Sequence, residues 1–208
     1  GLPTETDEDV EAIARLVQRV HAVGRRHRGH RAQVHASAST FVPKPHTPFQ
    51  WMPLADLEVV ERRQRLLKDR LRGRSLQFSW TAPQTTLLEA ALGRGDRRLG
   101  EVIERAYRAG ARFDAWAEQF RPVLWQEAFH AAGLDIHFYA SRPRDVSEVL
   151  PWEHIDVGVD KDFLVAELER AVQAQPTPDC REGCHRCGVL RAFAGERRTV
   201  EKGVWKCP

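Results

Sequence analysis

The stretch "RAQVHASASTFVP" (residues 31–43) decides the predicted fold, because small and β-branched residues dominate it and a proline ends it. That composition predicts a buried strand over about residues 32–42. Apolar residues recur at helical spacing before it, over residues 7–23, and after it, over residues 54–72. The stretch "SLQFSW" then alternates as a second short strand. This order of elements is typical of a parallel α/β sheet or barrel.

The opening stretch "GLPTETDEDVEAIARLV" predicts a turn that leads directly into the first helix. Thr6 is a suitable N-cap, and the acidic residues that follow it suit a helix N-terminus. A helix that begins this soon after a turn usually follows a strand. Because residue 1 is glycine and not methionine, we expect that strand and further segments to precede Gly1.

Beyond Pro83 the character of the sequence changes from mixed to helical. Glycine and proline divide this half into short segments with helical spacing of apolar residues. The predicted helices cover residues 84–92, 97–109, 121–132 and 160–174. The cysteine-rich end of the chain follows as a small element of its own.

Composition limits the classes of function. The 208 residues carry a formal net charge of only +3, although arginines gather in "GRRHRGHR". A charge this weak gives no broad electrostatic surface for nucleic acid, so RNA is a minor alternative as a partner. The sequence has no apolar run long enough to span a membrane and no signal peptide, and it therefore predicts a cytoplasmic protein that binds no membrane.

The segment "DCREGCHRCG" (residues 179–188) places Cys180, Cys184 and Cys187 in a C-x3-C-x2-C array. Thiolate sulfur binds both zinc and iron–sulfur clusters, and such short spacings bring several thiolates to one point. Clustered cysteines in a reducing compartment more often bind metal than form disulfides. The sequence therefore predicts a metal site, with Cys207 as the natural fourth ligand and His185 as its substitute.

The segment "PKPHTPFQWMP" (residues 43–53), called the proline loop below, holds four prolines and must be extended, irregular backbone. It alternates Lys44, His46 and Gln50 with aromatic residues. If it follows a barrel strand, it lies on the face where ligands bind, and these three side chains face the substrate. The alternative is a rigid connector that only packs its aromatic rings.

Several segments together resemble one family, the cobalamin-binding radical SAM proteins, and specifically an uncharacterised group with a long C-terminal extension. The matching stretches cover most of the chain in order. They are "GLPTETDEDVEAI", "STFVPKPHTPFQW", "LLEAALGRGDRRLGEVIERAYRAGARFDAW", "LWQEAFHAAGLDIHFYASRPRD", "LPWEHIDVGV" and "TPDCREGCHRCGV".

The resemblance implies a fold and a domain order. It implies that residues 1–82 are the last strands and helices of a partial TIM-like radical SAM barrel, an α/β fold. Residues 83–175 would then be a mostly α-helical extension, and residues 176–208 a cysteine-rich metal-binding tail. The "GLPTET" turn would lie beside S-adenosylmethionine, which makes Gly1, Leu2 and Pro3 cofactor-binding residues.

The resemblance also implies the cofactors. In such enzymes a 4Fe-4S cluster held by a CxxxCxxC motif binds S-adenosylmethionine and reduces it to a 5′-deoxyadenosyl radical, and a separate domain binds cobalamin. Both parts would precede Gly1, and a flavodoxin or ferredoxin would supply electrons. The C-terminal C-x3-C-x2-C array would be an accessory iron–sulfur or zinc site, since most of the barrel follows the radical-generating motif in this family. The alternative function is a zinc-stabilised RNA-binding module.

Overall fold

The computed structural model describes residues 1–200, which form a mostly helical protein with one small parallel sheet. Its strands are β1 (Val34–Ala38) and β2 (Leu76–Trp80). The helices of residues 1–200 are α1 (Asp7–Arg28), α2 (Leu57–Arg70), α3 (Pro83–Gly93), α4 (Leu99–Arg108), α5 (Pro122–Ala131), α6 (Ile136–Ala140), α7 (Lys161–Val172), α8 (Val189–Ala192) and α9 (Ala194–Thr199). Each helix and strand predicted from periodicity is confirmed, with shifted ends, whereas the short helices α6, α8 and α9 were not predicted.

Helix α1 begins at the predicted cap. The Thr6 hydroxyl accepts a hydrogen bond from the Asp9 backbone N–H, and the Asp9 carboxylate accepts one from the Thr6 N–H at 2.8 Å. Together they form a capping box. Two hydrogen bonds from Thr6 lower the pKa of the Asp9 carboxyl. The bond from the backbone N–H has the larger effect, and the bond from the hydroxyl has the next largest. Val10 and Ala14 lie on the apolar face of α1 and are buried. They pack with Leu67 of α2 and with Leu71, the residue directly after α2.

The sheet is a parallel pair in which Val34 aligns with Leu76 and Ala38 with Trp80. Its side chains alternate between the two faces. Ala36 and Phe78 pack on the core that α1 and α2 share, whereas His35 is exposed. The β1–α2–β2 order places the proline loop in the connection that leaves β1.

The prediction of a partial TIM-like barrel is wrong for the chain that the structure describes. Residues 1–200 hold only the two strands of one sheet, and no barrel remnant is present in them. Strands of a parallel barrel are covered on both faces, but β1 alternates between half-buried and exposed residues. A strand–helix–strand unit has the same local sequence pattern in a small sheet and in a barrel. Long-range pairing decides the number of strands, and periodicity does not report it.

The chain divides into two compact units. The first unit comprises Gly1–Val42 and Pro53–Arg142, and the second comprises Pro43–Met52 together with the chain from Pro143 onward. Most of the proline loop thus belongs to the same unit as the cysteines. The three-part division predicted from the sequence stays a prediction.

The main core of the first unit lies among α3, α4, α5 and α6. Its members include Leu88, Val102, Phe129 and Tyr139, all of them buried. No helix within residues 1–200 combines the length and the apolar character that a membrane span requires.

Arg94, directly after α3, is fully buried beside this core. Its guanidinium donates hydrogen bonds to the carbonyl oxygens of Tyr139 at 3.1 Å, of Arg142 at 3.0 Å and of Ala140. The Tyr139 and Ala140 carbonyls belong to the last turn of α6, where carbonyls have no intrahelical donor, and Arg142 follows two residues after the helix ends. The Ala140 carbonyl also accepts a hydrogen bond from the Leu54 backbone N–H at 3.0 Å, so Arg94 and Leu54 together hold the C-terminal end of α6.

We expect Arg94→Met to destabilise the protein by about 3 kcal/mol or more, because it removes the three hydrogen bonds that the buried guanidinium donates to backbone carbonyls. Chemical denaturation of the purified protein measures this change. Arg97→Met is the matched control at an exposed position, where the change should stay within about 0.5 kcal/mol. Equal stability of the two variants would show that Arg94 does not hold α6.

Candidate functional site

The second unit is built around the proline loop. Trp51 packs with Leu150, Trp152 and Leu164 in a small buried core. The Trp51 carbonyl accepts a hydrogen bond from the Arg144 backbone N–H at 2.9 Å. Residues distant in sequence therefore meet at the 3-10 turn Pro48–Trp51.

Gln50 fixes the conformation of this loop. Its side chain is buried, and its Oε1 accepts hydrogen bonds from the His46 backbone N–H at 3.0 Å and from Trp152 Nε1 at 2.6 Å. Both partners are obligate donors, so the oxygen of the amide must face them. The Arg144 guanidinium stacks over the Trp152 ring at 5.2 Å from its centroid, which covers the indole further.

His46 lies at the edge of a cavity inside this unit. Its backbone has a φ of 55°, which a non-glycine residue adopts only when the surrounding structure imposes it. Its Nε2 is buried and has no hydrogen-bond partner among the described residues. The cavity, called the His46 cavity below, measures about 190 Å³ and is lined by His46, Gln50, Trp152, Glu153, Ile155, Asp156, Val157, Val159, Lys161 and Leu164.

Two of the three predicted loop residues therefore reach one cavity. His46 and Gln50 line it, whereas Lys44 is exposed and is not among its lining residues. The Lys44 carbonyl accepts a hydrogen bond from the Thr47 hydroxyl at 2.7 Å, which tightens the turn. That Lys44, His46 and Gln50 face a substrate stays a prediction.

The cysteine loop, residues 176–188, is docked on the beginning of α7. The Asp160 backbone N–H donates to the Cys187 carbonyl at 2.8 Å, and the Asp160 carboxylate pairs with Arg191. Gly188 has a φ of 99°, and a Cβ there would lie 2.8 Å from Asp160 Cγ. Only glycine therefore permits this approach.

The three thiols of the cysteine loop surround one cavity. It measures about 330 Å³ and is called the thiol cavity below; its lining includes Cys180, Cys184, Cys187 and His185. The thiols are free, with Cys180 and Cys184 exposed and Cys187 partly buried. His185 Nε2 is buried and has no hydrogen-bond partner within residues 1–200. Cys207, the other predicted ligand, lies outside the described residues.

The three thiols and His185 line one cavity, but their arrangement in the structure is not that of a metal site. Among residues 1–200, no three His, Cys, Asp or Glu side chains are placed so that they could hold a metal ion. The donor chemistry nevertheless fits a soft or borderline metal, since three sulfurs and one imidazole nitrogen are available around one space. Closing such a site would require the thiols to rotate toward each other.

A local ion pair shapes the start of the cysteine loop. Asp179 accepts hydrogen bonds from the Arg181 guanidinium and from the Arg181 backbone N–H, the latter at 2.8 Å. Both hydrogen bonds lower the pKa of Asp179, and the one from the guanidinium has the larger effect. The charge of Arg181 is thereby offset by a neighbouring carboxylate.

The residues predicted to bind S-adenosylmethionine lie in the first unit. A Cβ on Gly1 would lie 3.5 Å from Thr40 Cγ2, just beyond the carboxyl end of β1. Leu2 and Pro3 are exposed. A small cavity of about 60 Å³ borders Gly1 and Thr40. Their role in binding a cofactor stays a prediction.

Sequence reasoning missed the residues that complete both cavities. Glu153, Asp156 and Lys161 line the His46 cavity, and Asp160 lines the thiol cavity. The available signal was weak: "LPWEHIDVGV" carries two acids close to a tryptophan, directly before a helix. Nothing in that stretch indicates which distant loop it contacts.

Comparisons with known proteins give little further guidance. No family model matches the chain, and no solved structure matches it. The chain is 25% identical over 105 residues to the uncharacterized protein MJ0966 of Methanocaldococcus jannaschii. The match covers 50% of this chain and 21% of that protein, so the chain matches about a fifth of the length of this relative.

We expect Gln50→Leu to lower the free energy of unfolding by about 2–4 kcal/mol, because it leaves the His46 N–H and Trp152 Nε1 buried without an acceptor. Urea denaturation followed by tryptophan fluorescence measures this change. Gln126→Leu, at an exposed position on α5, is the control and should change stability little. A Gln50→Leu protein as stable as the control would rule out the double acceptor role.

Proposed function

We propose that this chain is the C-terminal part of a radical SAM iron–sulfur enzyme of the cobalamin-binding group, and that its cysteine loop holds an accessory metal centre. The observation that carries the proposal is the thiol cavity, in which Cys180, Cys184 and Cys187 line one space. The segments that resemble the family support the enzymatic half of the proposal. Neither half requires barrel strands within residues 1–200.

The cysteine loop combines one anchored ligand with two adjustable ligands. Cys187 is held through its carbonyl, which accepts the hydrogen bond from Asp160. Cys180 and Cys184 are exposed on backbone that is neither helix nor strand, so their side chains can rotate at small cost. Metal binding would draw these two thiols toward Cys187, and the free energy of binding would order the loop.

The fourth ligand has two candidates. His185 Nε2 is buried beside the thiols and has no partner among the described residues, which supports a nitrogen ligand. Cys207 supplies a fourth sulfur in the sequence. A zinc ion bound here would cross-link the loop, whereas an iron–sulfur cluster would carry electrons.

We expect the protein purified without oxygen to contain zinc or iron, and Cys187→Ser to reduce the bound metal to less than half. Elemental analysis measures the metal, and the absorption spectrum separates a brown cluster from colourless zinc. Cys180→Ser and Cys184→Ser should behave alike, because all three thiols line one space. A comparison of His185→Ala with Cys207→Ser identifies the fourth ligand.

Glu182→Gln is the matched control for the metal analysis. Glu182 is exposed within the same loop and is not among the residues that line the thiol cavity. This variant should retain the metal of the parent protein. Metal-free parent protein, or equal metal content in the control and in all three cysteine variants, would contradict the accessory site.

The enzymatic half has its own test. We expect the full-length gene product, reconstituted with iron and sulfide without oxygen and reduced with dithionite, to cleave S-adenosylmethionine to 5′-deoxyadenosine. Chromatography of the quenched reaction measures this product. Cys187→Ser should retain the cleavage, because the resemblance places the radical-generating cluster before Gly1. A full-length protein that carries a cluster and forms no 5′-deoxyadenosine would contradict the radical SAM assignment while leaving the accessory site intact.

A further inference from the structure

Exposed arginines of the first unit gather beside the amino ends of the two strands. Three of them are in the last turn of α1, one ends the short turn that follows α1, and one precedes β2. Called the arginine cluster below, they are Arg25, Arg26, Arg28, Arg31 and Arg74, and all of them are exposed. Sequence neighbours supply four of these residues, and the tertiary structure adds Arg74.

Two contacts of Ser75 bring Arg74 to the segment that follows α1. The Ser75 hydroxyl lies 2.9 Å from His21 Nε2 of α1, and the Ser75 carbonyl accepts a hydrogen bond from the Val34 backbone N–H at 2.9 Å. Because β1 and β2 are parallel, their amino ends lie at the same edge of the sheet. Arg31 and Arg74, which precede the two strands, are therefore neighbours across this edge.

Gly29 keeps the cluster compact at the end of α1. Its φ of 56° lets the chain turn directly after the helix. The Arg25 guanidinium then lies 3.2 Å from His30 Nδ1. Residues 29–31 thus turn back beside the last turn of α1, and Arg31 stays near the helix end.

No acidic side chain of residues 1–200 pairs with the arginine cluster. The sequence contains no Asp or Glu from residue 12 to residue 55. Glu11 and Asp69, which flank this region on α1 and α2, pair with Arg70 and Arg72. The net charge of +3 for the whole chain therefore conceals a local excess of positive charge.

The helix dipole explains only part of this arrangement. Cations stabilise a helix C-terminus within its last turn, where Arg25, Arg26 and Arg28 are placed. Arg31 and Arg74 lie outside α1 and add like charges, whose mutual repulsion is unfavourable. A ligand with several negative charges would relieve that repulsion.

The composition of the cluster favours nucleic acid over an anionic membrane. A guanidinium pairs with a phosphate through two parallel hydrogen bonds. Residues 25–31 and 72–75 contain no aliphatic side chain, whereas helices that bind a membrane surface insert apolar side chains beside their basic ones. The same residues include no Phe, Tyr or Trp on which a base could stack, so contact with the backbone is expected and not with the bases.

We infer that the arginine cluster binds the phosphate backbone of a nucleic acid without reading its base sequence. A nucleic acid presents phosphates at close and regular intervals, so arginines from three neighbouring segments can contact several of them at once. The surface lies in the first unit and needs no metal at the cysteine loop. It therefore does not depend on the proposed accessory centre.

We expect the purified protein to bind fluorescein-labelled oligouridine and a labelled DNA duplex at low salt, with an affinity that falls steeply as salt is added. Fluorescence anisotropy measures the affinity at each salt concentration. The triple variant Arg28→Gln, Arg31→Gln, Arg74→Gln should bind both probes about tenfold or more weakly. Its salt dependence should be shallower, because fewer phosphate contacts release fewer counterions.

The matched control is the triple variant Arg97→Gln, Arg105→Gln, Arg108→Gln. It lowers the net charge by the same amount at exposed positions on or beside α4, and it should bind both probes nearly as the parent does. Urea denaturation should show the cluster variant to be at least as stable as the parent, because like charges have been removed. The double variant Arg31→Gln, Arg74→Gln leaves α1 unchanged and tests the same surface should the triple variant fail to fold.

Vesicles of phosphatidylcholine and phosphatidylserine, and polyglutamate, test the other anionic partners. Neither should bind as tightly as oligouridine at an equal concentration of negative charge. Four results would overturn the inference: no binding of either nucleic acid at low salt, an affinity that does not change with salt, an equal loss of binding in the α4 control, or tighter binding to vesicles or polyglutamate than to oligouridine.

Discussion

The second unit depends on one buried amide oxygen. Gln50 Oε1 accepts hydrogen bonds from the His46 backbone and from the Trp152 indole, and so it joins two segments about one hundred residues apart. Without that acceptor both donors would be buried and unpaired, which is costly in an apolar surrounding. The same contact imposes the positive φ of His46 and leaves its imidazole beside a cavity. The packing of this unit and the His46 cavity thus depend on the same two hydrogen bonds.

The beginning of α7 connects the two candidate sites. Lys161 lines the His46 cavity. Asp160, one residue earlier, binds the cysteine loop through its backbone N–H and Arg191 of α8 through its carboxylate. A metal bound by Cys187 would therefore be anchored next to the helix end that forms a wall of the other cavity. The link consists of direct contacts within one unit, and it gives the cysteine loop a position that its irregular backbone alone would not define.

The local structure was largely predictable. The helices over residues 7–23 and 54–72 and the strand pair were predicted from apolar spacing and from the cap at Thr6, and all are present. The barrel was predicted from the order of those elements and from the resemblance, and residues 1–200 hold only two strands. Element order reflects local preferences, whereas the number of strands in a sheet depends on pairing between distant residues. The contacts of Arg94 with the end of α6 could not be predicted for the same reason. The three carbonyls that accept its hydrogen bonds lie more than forty residues away in the sequence.

The sequence by itself determined the helices, the two strands, the irregular proline loop and the close spacing of three cysteines, because these depend on neighbours along the chain. It also indicated that His46 and Gln50 belong to an unusual loop, although not which distant residues this loop contacts. Only the tertiary structure decided that the proline loop packs on Trp152, that Glu153 and Asp156 line one cavity with His46, and that the cysteine loop lies against Asp160. The physical reason is that these contacts satisfy buried donors and acceptors across long separations, and no local pattern encodes such partners.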